Sequence, residues 1–545
     1  MAEELYVLPS SLAQQRLWLL DQVLPDTSLY AIPCALRLRG RLDVGGLRAA
    51  LTGVAGRHEV LRTVLRLQGS EVVQVVAGPA DVDLPVLDIE GDAALALARA
   101  AALAQAPFDL GSGPLMRCAL LRLDHDDHVL VLVLHHTIAD GLSVQVLIRE
   151  LTASYTDAAQ ALEDLPIQYA DYAAWQRDQV AGGELEDQVA YWTTALAGLK
   201  PLRLPADPAS ASPVPYSAVT VPAQVAAPVV RQLRLTAPGG AVTPFMVLLA
   251  GYAVVLSRWS GQRDLAIGIP AGGRSEVALE PLIGLFVNSL AIRVDVDPEA
   301  SFADLLAQVR DRCLAAYSNA GAPFDLLVDR LAPDRRVGQL PIAQVWLNMA
   351  REMPAVFNVG PDLVATIMDL PSHATHHDVT LDLVEAGDAV HGTLVARADK
   401  FSAATAALAA ASLTAVLRSA AATPSAPVAS LSCPVGDDRP AAPGGDMDGA
   451  YDGPPDGDDA GDAPASTYEH MLIGLWAEAL EREEVGVRDE FYASGGNSLR
   501  AIRVVMGARE FGVELPLELM LGEHTIRQLA TAARAASAET AGPGG

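Results

Sequence analysis

The hydrophobic pattern is sharpest at residues 129–134, Val-Leu-Val-Leu-Val-Leu. Such a run is too short for an ordinary helix and predicts a strand buried on both faces. His135 and His136 end it, and Asp140-Gly141 turns the chain into an amphipathic run over 142–155. Upstream, a helix is expected over 11–20 after Pro9, with Leu12, Leu19 and Leu20 near one face and Trp18 as its packing anchor. An Ala/Leu-rich helix from Val44 ends at Arg57-His58-Glu59, which reads as an ion-paired helix end. Further on, Tyr169-Ala170-Asp171-Tyr172-Ala173-Ala174-Trp175 opens a helix whose aromatics are expected in the core, and 188–196 continues helical. The proline-rich crossover 201–222 marks a boundary between two halves. Beyond it the pattern predicts helix 245–259, strand 264–269, a strand ending at Val296, helix 302–316, strand 345–349 and a strand-like alternation over 378–385.

From 421 to 465 the pattern lapses. Residues 437–462 hold nine Asp against one Arg among Gly and Pro, too little apolar surface to order a segment. A flexible tether of about 43 residues would span roughly 35–40 Å. Order resumes at Ser466-Thr467-Tyr468-Glu469, a capping box opening a helix to Leu480. Helices over 500–511 and 525–533 complete the sequence of a small bundle, and the last residues read as a disordered tail.

Composition sets limits. The chain has 545 residues, enough for two to four domains. A net charge of −29 argues against nucleic acid as a partner. No run reaches the ~18 uninterrupted apolar residues of a membrane span, and residues 1–9 lack the pattern of a signal peptide. Cys34, Cys118, Cys313 and Cys433 are scattered, without metal or disulfide spacing. A cytoplasmic protein without a membrane partner is the expectation.

Three places could carry chemistry. A strand that delivers imidazoles to its end and then turns sharply can place a base, although packing histidines and an Asp140 N-cap fit the same residues. Ser498 follows Gly495-Gly496-Asn497 at the start of a helix, where the dipole and free N–H groups favour a phosphodiester. His373, His376 and His377 have a spacing that could converge on a metal from one helix face. The adjoining strand-like alternation favours a solvated loop and no metal.

His135-His136-Thr137-Ile138-Ala139-Asp140-Gly141, with Ser143, resembles the active-site motif of nonribosomal peptide synthetase condensation domains, which belong to the chloramphenicol-acetyltransferase-like acyltransferases. Counterparts follow in family order: 11–20, 57–63, 169–175, Pro270–Arg274, Ile283–Leu290, Pro323-Phe324-Asp325, then Asp334-Arg335-Arg336 with Leu340-Pro341. The likeness spans about 8–418. It departs at Asn319-Ala320-Gly321, where the family usually has His-Gln-Asp. The segment around Ser498 resembles a peptidyl carrier protein, whose matching serine carries 4′-phosphopantetheine.

These resemblances imply an α/β (α+β), two-lobed, V-shaped condensation domain followed by an all-α four-helix carrier. The expected divisions are an N-terminal lobe at 1–180, a C-terminal lobe at 181–420, a linker at 421–465, the carrier at 466–536 and a tail at 537–545. They imply an acyltransferase joining a donor acyl or peptidyl thioester to an amine acceptor in secondary-metabolite biosynthesis. Candidate catalytic residues are His136, His135, Asp140 and Gly141, with Arg274 as the structural partner of Asp140 and Ser498 as the attachment site. His135 and the pattern around Val287-Asn288 favour condensation over heterocyclisation or epimerisation. No adenylating domain stands before the carrier, and the motifs open at Ser11. The expected partners are therefore an adenylating enzyme and a donor carrier protein, both in trans, and a phosphopantetheinyl transferase. A free amine or alcohol acceptor, or a non-catalytic recruitment role, are the alternatives.

Overall fold

The structure is a computed structural model. It describes residues 4–437 and 464–540, except 24–27, 70, 90, 157–161, 208–213, 215, 237–240, 332–341, 352–355, 361, 369, 371–372, 387–388, 465, 481, 483, 492–493, 495–497, 514, 516 and 521–523.

The first lobe runs β1 (Glu4–Pro9), α1 (Leu12–Val23), β2 (Ala31–Gly40), α2 (Val44–Arg57), β3 (Thr63–Gln68), β4 (Glu71–Ala77), β5 (Val86–Asp88), α3 (Ala93–Gln105), β6 (Met116–Asp124), β7 (Asp127–His135), α4 (Gly141–Tyr155) and α5 (Tyr169–Ala181). The apolar run that dominates the sequence lies in β7, between β2 and β6. Val129, Val131 and Val133 face alanines of α3, whereas Leu130, Leu132 and Leu134 face the core shared with α2 and α4. Both faces are covered, so alternation in polarity is absent.

The second lobe adds α6 (Glu186–Ala195), β8 (Ala218–Ala226), α7 (Ala227–Arg234), α8 (Pro244–Ser260), β9 (Asp264–Ala271), β10 (Asn288–Asp295), α9 (Phe302–Ser318), α10 (Phe324–Leu331) and β11 (Val345–Arg351). The hairpin β12 (Val356–Gly360) and β13 (Leu363–Met368) precedes β14 (Val379–Ala386), β15 (Ala389–Arg397), α11 (Ala403–Ala422) and α12 (Pro434–Asp437). Six strands pair in the order β10-β9-β11-β14-β15-β8. Val345, Leu347, Val379 and Leu381 point into one core with α8, α9 and α11. α11 is long and apolar enough to cross a membrane, at 20 residues and mean hydropathy 1.4. Its Leu413, Val416 and Leu417 are buried in that same core.

The lobes are not separated by a single cut. β13 pairs along β2, so the first lobe's sheet reads β12-β13-β2-β7-β6-β5. The expected division at 180/181 therefore does not hold for this hairpin, which lies beyond it in sequence and pairs in the first lobe's sheet. The expected linker at 421–465 also needs correction. Val428, Leu431, Cys433 and Val435 are buried in the second lobe's core, so the domain continues through 437, and 438–463 lies outside the described residues.

The carrier comprises α13 (Thr467–Leu480), α14 (Ser498–Glu510), α15 (Leu517–Met520) and α16 (Ile526–Thr540). The predicted capping box is present, with Ser466 N–H donating to Glu469 Oε2 at 3.0 Å and Glu469 N–H to Ser466 Oγ at 3.2 Å. Glu469 also pairs with Arg527 at 3.0 Å, tying α13 to α16. α16 reaches Thr540, so the tail expected from 537 starts within a helix.

Candidate active site

The turn after β7 is held from three sides. Asp140 N-caps α4 by accepting from Ser143 N–H at 2.8 Å, the usual relief for a free N-terminal donor. Arg274 Nη1 donates to Asp140 Oδ2 at 2.9 Å and Nη2 donates to Oδ1 at 3.1 Å. Phe286 N–H donates to Oδ2 at 3.1 Å. The Asp140 and Arg274 side chains are 3% and 6% exposed, and the guanidinium lies 4.3 Å over the Phe286 ring. Ser143 Oγ accepts from Gly284 N–H at 3.0 Å and lies 2.8 Å from both Asp140 Oδ1 and Gly284 O, its single proton serving one of them. A loop of the second lobe is thereby fastened to the first across a polar clasp.

Two glycines make that approach possible. Gly273 has φ +62° and a Cβ there would lie 1.7 Å from Phe286 O. At Gly284 a Cβ would lie 2.1 Å from the Tyr169 ring. Tyr169 in turn donates to Leu285 O at 2.9 Å and bonds Ser11 Oγ at 2.8 Å. Gly141 is the converse case, since a Cβ there meets nothing within 4 Å; the space beside it is open.

Helix α1 closes the third side. Gln14 Nε2 donates to Thr137 O at 3.1 Å, and Arg16 pairs with Asp325 of α10 at 3.1 Å. The sequence pattern identifies the helix but not Gln14, which is polar yet fully buried. Arg57 and His58 both meet Glu150, at 3.2 and 2.7 Å, an ion-paired helix end. Tyr169 and Tyr172 are core residues, but Trp175 is 46% exposed, contrary to the expectation for all three aromatics.

The two histidines differ. His135 is buried; its Nδ1 accepts from Thr137 N–H at 3.2 Å and lies 2.9 Å from Thr137 Oγ1, while Phe108 packs edge-on at 5.6 Å. Burial first, then the neighbouring His136 and Arg117, push its pKa down to about 3. His136 is half-buried. Its backbone N–H donates to Tyr30 O at 2.7 Å and its Nδ1 donates to Ala139 O at 2.8 Å. A carbonyl can only accept, so the proton sits on Nδ1 and Nε2 keeps its lone pair. Burial also lowers the pKa of His136, which keeps the ring neutral near pH 7.

His376 and His377 are half-buried beside this turn rather than in the solvated loop expected of them. The His376 ring lies 5.4 Å from Tyr30 and 3.8 Å from His377. Among the described residues no group of three or more His, Cys, Asp or Glu could hold a metal ion.

These depressed histidines have a consequence for stability. In the folded state they resist protonation, whereas in the unfolded chain they titrate near 6.5. As pH falls below 6.5 the unfolded state binds more protons, so stability drops, and for His135 and His376 the loss continues down to about 3. A urea midpoint that declines from pH 7 through 6 to 5 is expected; a flat midpoint over that interval would contradict neutral, buried imidazoles.

Of the remaining candidates, Asn319-Ala320-Gly321 forms a fixed loop, because Asn288 Nδ2 donates to Ala320 O at 2.9 Å and to Ala322 O at 2.7 Å. Residues 334–336, 340 and 341 lie outside the described residues. Ser498 is the first residue of α14, and that helix touches α1. A phosphodiester fits this position because a helix N-terminus offers free N–H donors and positive potential.

Comparison with known proteins agrees with this division. The family described as "Condensation domain" matches residues 4–438, and that described as "Phosphopantetheine attachment site" matches 471–533. One of the linear gramicidin synthases of Brevibacillus parabrevis is 38% identical over 404 residues, covering 71% of this chain and 8% of that protein. Isonitrile lipopeptide synthase of Mycobacterium tuberculosis is 42% identical over 397 residues, 69% of this chain and 16% of that protein. The chain thus spans a small part of the length of these relatives. Among solved structures, the X-domain from teicoplanin biosynthesis superposes with a TM-score of 0.72 at 30% identity, covering 79% of this chain and 99% of that one.

Proposed function

This chain belongs to the condensation-domain family, with a phosphopantetheine-attachment domain behind it, and from that premise we propose that it forms an amide between a donor acyl thioester and an amine acceptor. The observation that carries the reading is the bare Nε2 of a neutral His136, its ring fixed by Ala139 O at 2.8 Å. A model α-amine titrates near pH ~7.7–8.0, so free base is available at neutral pH. As the C–N bond forms, His136 takes one N–H proton through Nε2, then returns it to the departing sulfur. Positioned proton transfer of this kind is worth roughly 10²–10⁴-fold, and orientation adds to it.

The other residues have supporting roles. His135 packs and fixes the turn. Asp140, clasped by Arg274, sets the path from β7 into α4 and so aims His136. Gly141 leaves the nucleophile room. Ser498 is the attachment residue, and phosphopantetheine, when bound there, supplies a thiol that can carry an acyl or aminoacyl group. A donor carrier and an adenylating enzyme acting in trans, in the cytoplasm, complete the reading.

A recruitment role is the second reading, favoured by one comparison: the similar X-domain is also solved as a complex with OxyB from teicoplanin biosynthesis. The test is direct. The full chain is treated with aminoacyl-coenzyme A and a phosphopantetheinyl transferase, which places the aminoacyl arm on Ser498 in one step, and is given a panel of acyl N-acetylcysteamine thioesters. A mass increase absent from Ser498→Ala, followed by amide product, is expected. Loading without product from any donor would favour recruitment.

A further inference from the structure

His136 is not the only imidazole near the turn after β7. The crossing into β14 brings His376 against Tyr30, the residue whose carbonyl receives the His136 N–H at 2.7 Å. The two histidines therefore share a neighbour, one through its backbone and one through its ring at 5.4 Å. The His376 ring also meets that of His377, tilted, at 3.8 Å, and His377 lies 4.6 Å from Trp346. Gly268 makes room for that indole, since a Cβ there would lie 2.5 Å from it. The His376 ring thus has two ring neighbours, Tyr30 and His377. No hydrogen bond to its nitrogens is found among the described residues, and the residue is half-buried, not sealed.

We propose that His376 is a second positioning residue for the nucleophile, receiving one N–H of a primary amine while His136 receives the other. The inference rests on the amide-forming reading above and deepens it, because it selects amines over alcohols. A primary amine has two N–H bonds and one lone pair. A single acceptor leaves it free to rotate about one hydrogen bond. With both N–H bonds held, the lone pair has one direction left, toward the thioester carbon. An alcohol has one O–H, which His136 satisfies, and with the accepting nitrogen of His376 turned to the nucleophile, as the proposal requires, an oxygen lone pair gains no second bond there.

His376 is equipped to accept and not to be protonated. Burial, and the positive charge of Arg16 and of a protonated His136, push its pKa down to about 3. Proton accounting needs nothing more of it. His136 takes one N–H proton as the C–N bond forms, the C–S bond breaks with its electron pair on sulfur, and that proton passes to the thiolate. The second N–H, the one held by His376, remains on the product amide.

The test uses the full chain with Ser498 charged from glycyl- or glycolyl-coenzyme A, two acceptors differing only in NH₂ against OH, and the donor thioester found active above. Wild type, His376→Phe and His376→Gln are compared by amide and ester yield, with unfolding midpoints as a control. His376→Phe is expected to lower the amide rate roughly 10–100-fold, to leave the ester rate and the donor KM within about two-fold, and to be partly rescued by His376→Gln. An equal fall for both acceptors, or an unchanged amide rate, overturns the inference. If His136→Ala still loses the amide while His376→Phe keeps it, the inference falls alone. If both variants keep it, the base assignment falls with it. Should His376→Phe fail to fold, His376→Ala decides the matter: an amide-to-ester ratio below wild type that His376→Gln partly restores supports an accepting role, and an unchanged ratio in His376→Ala overturns it.

Discussion

His136→Ala is expected to lower amide formation by about 10²–10⁴-fold while leaving the unfolding midpoint and Ser498 loading near wild type. The ring is half-buried and, among the described residues, its side-chain hydrogen bond is the one to Ala139 O. Its removal therefore takes little packing from a strand end whose neighbours, Leu134 and Ile138, are themselves fully buried. What it removes is the fixed lone pair. Product is to be measured at several pH values with uncatalysed aminolysis subtracted, because the amine alone reacts faster as it deprotonates. A wild-type rate in this variant would return the motif to a packing role.

The reverse pattern is expected of Asp140→Asn. Its carboxylate accepts from Arg274, Ser143 and Phe286, and both partners of the ion pair are nearly inaccessible. Neutralising one side leaves the guanidinium buried and uncompensated, which costs roughly 3–5 kcal/mol. The midpoint of the condensation domain should fall accordingly, and more than in His136→Ala. Arg274→Met and the double variant close a cycle: if the clasp is the cause, the two losses are far from additive. An Asp140→Asn protein with a wild-type midpoint but no activity would place Asp140 in the chemistry instead of in the scaffold.

The parts of the molecule legible in the sequence are those where local pattern and tertiary burial agree. Residues 129–134 can be read because each face of β7 meets its own layer, so every position is apolar. The clasp is visible only as separate motifs, because Ser143, Gly284 and Phe286 contribute through a backbone group or a single hydroxyl, which carry no hydropathy signal. Gln14 escapes for a related reason: one buried amide on a helix looks like a surface residue until its partner, Thr137 O, is in place. His376 and His377 read as a solvated loop because the strand-like alternation over 378–385 adjoins them. Their partners are distant in sequence, Tyr30 in the turn before β2 and Trp346 in β11, and no periodicity links those positions. The expected linker starts too early because Pro, Ser and Ala over 421–437 resemble a tether, whereas Val428, Leu431, Cys433 and Val435, spread among them, are buried in the core.

The hairpin β12–β13 imposes an order of assembly. During synthesis the first lobe's strands leave the ribosome early, yet β2 lacks one of its two neighbours until residues 363–368 have been made. For roughly three hundred residues of translation, Ala35–Gly40 presents an unpaired edge, the kind of surface on which nascent chains associate wrongly. A protein cut at the apparent lobe boundary would keep that edge permanently. Exchange of lobes between synthetases, an obvious engineering move, would therefore have to carry residues 356–368 with the N-terminal piece, although they are encoded in the other.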